Sequence, residues 1–183
     1  TRNTAIMAAS LRHAIGRRVT ARSGARAALS TGQQRLAFVA LGSNVGDRAR
    51  QLCAAWKRVQ DTLGRVVATS PLYETAAAYV TDQPSFLNAV VAVETALPPL
   101  EALAKLKAAE RDLGRQVRFR NGPREVDLDL LYLGDERVEE DAVTRPLQRI
   151  AEREFVLRPL RACRSQIAAG EGGLVDDALK KRW

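Results

Sequence analysis

Between Arg120 and Leu133 the chain reads R-N-G-P-R-E-V-D-L-D-L-L-Y-L, with Asp127 and Asp129 two residues apart among apolar neighbours. Val126, Leu128 and Leu130 alternate with them, which is the period of a half-buried strand. Strand side chains alternate between faces, so both carboxylates project from the same one. Carboxylates so placed repel each other, and burying them unpaired is costly. A divalent cation relieves the repulsion, and hard carboxylate oxygens suit Mg²⁺. Just upstream, Asn121-Gly122-Pro123 is a turn signal, and Arg115, Arg118, Arg120 and Arg124 crowd around it. Acid pair, turn and arginines together describe a site for a metal-bound polyphosphate. On spacing alone, a sheet face carrying a solvated Asp–Arg ion-pair set is described equally well.

The elements that must position these groups can be read in order. Leu36–Leu41 is a short apolar run, expected to be a buried first strand, ending in Gly42-Ser43-Asn44-Val45-Gly46-Asp47. Asp47 suits the N-cap of a helix whose stripe is Leu52, Trp56, Val59 and Leu63, with Gly64 expected in the left-handed region at its end. Val66–Tyr73 reads as a second strand broken by Pro71, which argues for an edge or a bulge. Phe86–Val93 is a third strand, on which Phe86 and Asn88 share a face and could address one flat ligand. Asn44 could likewise present its amide to a ligand or serve only its turn. Pro98-Pro99 opens a second helix with an expected buried stripe of Leu100, Leu103 and Leu106 and with Glu110 near its end, stopped at Gly114. A short strand is expected near Arg137-Val138, and a short helix over 149–160 ended by Pro159; Gly170–Gly173 links to a closing segment, 174–183. The order strand–helix–strand–strand–helix–strand predicts an α+β fold: a ferredoxin-like antiparallel sheet with helices packed on it, an αβα sandwich.

Charge divides the 183 residues unevenly. The net charge is +8, yet residues 1–34 hold six arginines and no acid, leaving 23 basic and 21 acidic residues from Arg35 onward, a net of +2. The folded part, 35–183, is therefore read as one near-neutral domain with no bulk electrostatic case for nucleic acid. Residues 1–34, rich in Ala, Arg and Ser, have the composition of a transit peptide, with a merely disordered basic tail as the alternative. The mitochondrial matrix is the expected destination, with plastid stroma or cytoplasm as alternatives. The sole histidine, His13, lies in that segment, which removes Ser-His-Asp and Cys-His catalysis and a histidine-ligated zinc site. Cys53 and Cys163 show no metal or disulfide spacing. No apolar run reaches the roughly 20 residues that cross a bilayer, and no G-x-x-x-x-G-K-[ST] phosphate loop occurs.

Five stretches then carry a resemblance. They are Ala40-Leu41-Gly42-Ser43-Asn44; Tyr73-Glu74-Thr75 leading to Asp82-Gln83-Pro84 and Phe86-Leu87-Asn88; Gly114-Arg115; Gly122-Pro123-Arg124 running into Asp127-Leu128-Asp129; and Arg153 to Leu160. In this combination and order the chain resembles the 6-hydroxymethyl-7,8-dihydropterin pyrophosphokinase family over roughly residues 36–160. The resemblance implies transfer of the β,γ-diphosphate of ATP to the pterin hydroxymethyl oxygen, releasing AMP, in folate biosynthesis. It implies two Mg²⁺ ions on Asp127 and Asp129, with Arg115 and Arg124 joining them as catalytic residues. It places Glu110, Arg115, Arg118, Arg120, Arg124, Leu130 and Arg153 at ATP, with Arg118 and Arg120 in a mobile loop. It places Asn44, Thr75, Ala78, Phe86, Asn88 and Phe155 at the pterin. A dihydropteroate synthase domain, fused or associated, is the implied partner. The chain departs from the pattern at Leu147, where many members have histidine, at Asn121, often tryptophan, and at Ala76-Ala77. A non-catalytic pterin- or nucleotide-binding subunit and a ferredoxin-like RNA-binding module are the alternatives.

Overall fold

A computed structural model describes residues 34–116, 118–134 and 153–170. Residues 1–33 of the expected 1–34 segment, the strand near Arg137-Val138, Leu147, the start of the 149–160 helix and the closing segment lie outside the described residues. Among the described residues eight elements follow in order: β1 (Arg35–Ser43), α1 (Arg48–Leu63), β2 (Arg65–Thr69), β3 (Tyr73–Thr75), β4 (Phe86–Thr95), α2 (Pro99–Asp112), β5 (Asp127–Leu133) and α3 (Glu154–Ala168). The strands form one antiparallel sheet in the order β2-β4-β1-β5, with β3 also pairing β4. That is the ferredoxin-like connectivity expected from the element order.

Helices cover both faces, so the two central strands lose their polar faces. On β4, Asn88 to Val93 are all buried, with Val91 and Val93 facing α1 and α2 while Val90 and Ala92 face α3. The first core layer packs Val39, Leu41, Leu128 and Leu130 against Leu52, Val59 and Leu106. The second packs Phe38, Val90 and Leu131 against Val156, Leu157, Leu160 and Cys163, and burial pushes the Cys163 thiol up to about 12.

Asp47 caps α1, its Oδ1 accepting from Arg50 N at 3.0 Å. Gly64 follows with φ +137°, ψ −163°, which is not the left-handed helical conformation expected there. Glycine is still required, because a Cβ at that position would stand 2.3 Å from the Glu94 carbonyl oxygen. The run expected as one strand across Pro71 is two, β2 and β3, both on the free edge of β4. Ser70 spans the break: its amide donates to Val90 O at 2.9 Å and its Oγ accepts from Val90 N at 3.0 Å.

Two helical expectations need correction. On α2 the buried stripe is Ala102, Leu106 and Ala109, while Leu100 is 53 % exposed and Leu103 turns to a cleft. Small alanines let α2 approach its neighbours closely, which hydropathy alone does not rank. And α3 runs through Pro159 instead of ending there. Proline within a helix forfeits one hydrogen bond and costs about 3 kcal/mol. Burying Val156, Leu157, Leu160 and Cys163 on one face outweighs it, at about 1.5–3 kcal/mol for each large apolar chain.

Candidate active site

Register brings the chemistry together at one end of the sheet. Gly42 of β1 sits opposite Asn88 of β4 on one side and opposite Asp127 of β5 on the other. Tyr73 and Thr75 of β3 pair with Asn88 and Phe86. A cleft of about 460 Å³ opens there, lined by Thr75, Ala78, Phe86 and Asn88, by Arg115, Arg124, Asp127, Asp129 and Leu130, and by Arg153 and Phe155 from the start of α3. Gly42 forms part of its floor; a Cβ there would come within 3.3 Å of Asn88 Oδ1.

The polar end of the cleft is a balanced set of three acids and three bases. Asp127 Oδ1 takes Arg115 at 2.6 Å and its Oδ2 takes Arg124 at 2.7 Å. Glu110 is buried, and its Oε1 accepts from Leu128 N at 2.6 Å, from Arg115 at 2.6 Å and from Lys107 at 2.8 Å. Lys107 also reaches Asp129 Oδ1 at 3.4 Å. Burial works against the Lys107 ammonium and the Arg115 guanidinium. The Asp127 and Glu110 charges, joined at Lys107 by that of Asp129, more than offset it, and both pKa values are raised. Asp129 is the most weakly compensated member: burial, then the charge of Asp127, raises its pKa to about 6 against the pull of Lys107. Asp127 and Asp129 are thus the carboxylates to which a hard cation would be drawn.

The other end is flat and aromatic. Arg124 lies over the Phe86 ring at 5.9 Å, and Arg153 lies over Phe155 at 5.9 Å and Tyr79 at 5.5 Å. Asn88 Nδ2 donates to Thr75 Oγ1 at 2.9 Å, which leaves an amide and a hydroxyl at the edge of the aromatic space. The Nε of Arg153 is buried without a hydrogen-bond partner.

Some residues named from sequence stand elsewhere. Asn44 is buried and outside the cleft wall: its Nδ2 donates to Gln83 Oε1 and Pro84 O, each at 3.0 Å, and its Oδ1 accepts from Arg124 N at 2.8 Å. Its amide ties loops together and has no hydrogen left for a ligand. Glu110 stands behind the wall and supports it. Arg118 is spent on Glu125 at 2.5 Å, and that hydrogen bond lowers the Glu125 pKa to about 2. Arg120 is exposed and does not line the cleft. Lys107 and Tyr79 line it without having been named from sequence, and Gln83 and Asn121, named there only as motif and turn residues, line it too. For Lys107 a signal existed: it precedes Glu110 by three residues and so shares its helix face.

A pair of strand carboxylates and the arginines beside them thus line one end of a single cleft, and a planar aromatic slot lines the other. The chain belongs to the 7,8-dihydro-6-hydroxymethylpterin-pyrophosphokinase family, whose model matches residues 38–165. It is 39% identical over 133 residues to the Bacillus subtilis 2-amino-4-hydroxy-6-hydroxymethyldihydropteridine pyrophosphokinase, covering 72% of this chain and 80% of that one. The Haemophilus influenzae protein of the same name is 34% identical over 146 residues, covering 79% and 91%. The mitochondrial folate synthesis bifunctional protein of Pisum sativum is 49% identical over 122 residues, 67% of this chain. The match spans about a quarter of that plant protein's length, 24%.

Proposed function

We propose that the chain transfers the terminal diphosphate of ATP to the hydroxymethyl oxygen of 6-hydroxymethyl-7,8-dihydropterin, in folate biosynthesis. The hydroxymethyl oxygen forms a bond to the β-phosphorus, the bond from that phosphorus to the α,β-bridging oxygen breaks, AMP leaves, and the hydroxyl proton passes to water. The observation that carries the reading is the single cleft joining the Phe86–Phe155 slot to the Asp127–Asp129 pair through Arg124.

In this reading Phe86 and Phe155 stack on the pterin, and Asn88 and Thr75 meet its polar edge. Arg115, Arg124 and Arg153 grip phosphate oxygens, for which planar guanidinium groups are suited. Asp127 and Asp129 would hold Mg²⁺. The donor set fits: two hard carboxylates share one strand face, and Asp129, its pKa raised by burial and by Asp127, would gain a counter-charge there. When bound, Mg²⁺ neutralises charge on the transferring group and aligns it. The chain's own task is positioning. It holds the acceptor oxygen and the phosphate in line and excludes water between them.

Purified protein with ATP, Mg²⁺ and the dihydropterin should release AMP, and no release above the pterin-free background would refute the reading. Asp129→Ala should abolish release. Neither alternative, a non-catalytic pterin- or nucleotide-binding subunit or an RNA-binding module, is favoured by the comparisons. The composition of residues 1–34 and the name of the pea relative support a mitochondrial destination. The word bifunctional in that name supports a second folate-synthesis activity beside this one, with dihydropteroate synthase as the expected partner. Among the described residues, no helix is long and apolar enough to cross a membrane.

A further inference from the structure

One cation in the cleft has no place in the phosphate-binding scheme. Lys107 stands on α2 one turn before Glu110. It donates to Glu110 Oε1 at 2.8 Å, to the Leu128 carbonyl at 2.8 Å and to Asp129 Oδ1 at 3.4 Å. An ammonium has three donors, so in this arrangement none remains for a phosphate. Arg115 and Arg124 differ, since each guanidinium has five donors and keeps some free beside Asp127. The contact with Asp129 is the longest of the three, and breaking it leaves Lys107 held by Glu110 and the Leu128 carbonyl.

We propose that Lys107 is the resident counter-ion of Asp129, a positioning residue that a divalent cation must displace from that carboxylate. It thereby sets how tightly the acid pair takes a metal. The inference rests on the reading of Asp127 and Asp129 as the metal-holding pair. Its physical content is that two cations compete for one carboxylate. A free metal ion meets a site already neutralised, three bases against three acids, and gains little. Removing the ammonium leaves Glu110 held by Arg115 and Leu128 N, so the buried acid keeps partners while Asp129 loses the one cationic partner it has among the described residues. The Lys107 side chain is 37% exposed, which screens the competition without abolishing it.

Mn²⁺ binding to the full chain, titrated by calorimetry without nucleotide or pterin, tests this. Lys107→Gln should bind Mn²⁺ at least about tenfold more tightly than the wild type, and Lys107→Arg, which keeps the charge, should stay within about threefold of it. A lysine that only braced the strand would, when lost, leave Asp129 less ordered and weaken metal binding. Equal or weaker binding in Lys107→Gln therefore overturns the proposal. A second measurement needs no variant: Mn²⁺ should increase acylation of the Lys107 amine by an amine-reactive reagent, read by mass spectrometry, and unchanged or reduced labelling also overturns it. Neither readout requires turnover, so this inference and the transferase reading fail separately.

Discussion

Replacing Asp129 by asparagine should make the metal-free protein more stable at neutral pH while removing its activity. The carboxyl is held at about 6, against an ordinary 3.8, by burial and by the charge of Asp127. An acid whose folded pKa lies above its unfolded value costs stability once it ionises. The cost is absent below 3.8, where the group is neutral folded and unfolded, grows up to about 6, and is complete above that. A gap of about two pH units corresponds to about 3 kcal/mol. The side chain is 35% exposed, so water screens part of this and about 1–2 kcal/mol remains. Asparagine preserves the shape and an oxygen for Lys107, which also keeps Glu110 and the Leu128 carbonyl. In EDTA at pH 8 the variant should melt about 3–6 °C above the wild type. The difference should shrink toward zero at pH 4. Adding Mg²⁺ with a non-hydrolysable ATP analogue should raise the wild-type Tm and leave the variant nearly unmoved. A variant less stable than wild type at pH 8, or a gain independent of pH, would refute the electrostatic reasoning.

Three further outcomes are expected. Gly42→Ala places a methyl group against Asn88 Oδ1 and should raise the KM for pterin severalfold while changing that for ATP little, as steady-state kinetics would show. Asn44→Ala strips partners from Arg124 N, Gln83 and Pro84 in a buried place, and should cost about 2–4 kcal/mol in a urea titration. Glu125 has its pKa depressed to about 2 by the Arg118 hydrogen bond, so its contribution is present above about 4.5 and is lost as pH falls through about 2. Glu125→Gln should therefore lower the Tm at pH 7, and its deficit should close only toward pH 2.

What could be read without the structure was whatever local periodicity controls. Asp127 and Asp129 share a face because a strand has period two, and they reach the cleft as expected. The alternation holds through Leu131, which faces the α3 core, and breaks after it: the register shift opposite Phe38 and Val39 puts Leu133 in the same core layer as Leu128 and Leu130. Strand order and the Gly42 register with Asn88 and Asp127 depend on long-range pairing, which motif order signalled and local pattern did not. The α2 face was misjudged because leucine outranks alanine in hydropathy, whereas close helix packing selects for size. Pro159 signalled a break that tertiary burial overrides. Asn44 offered an amide whose use could not be known until its partners, 39 to 80 residues away, were in place.

The reciprocal pair between Asn44 and Arg124 also bears on how this fold tolerates change. Asn44 N donates to Arg124 O at 3.1 Å, and Arg124 N donates back to Asn44 Oδ1 at 2.8 Å. The clamp lies downstream of the basic loop at 115–122 and three residues ahead of Asp127. Residues gained or lost in that loop are therefore absorbed before the chain reaches the acid pair. Beyond Arg115, the loop can change length, as a cable may be cut long or short behind a fixed terminal, while the carboxylates stay in register with Gly42.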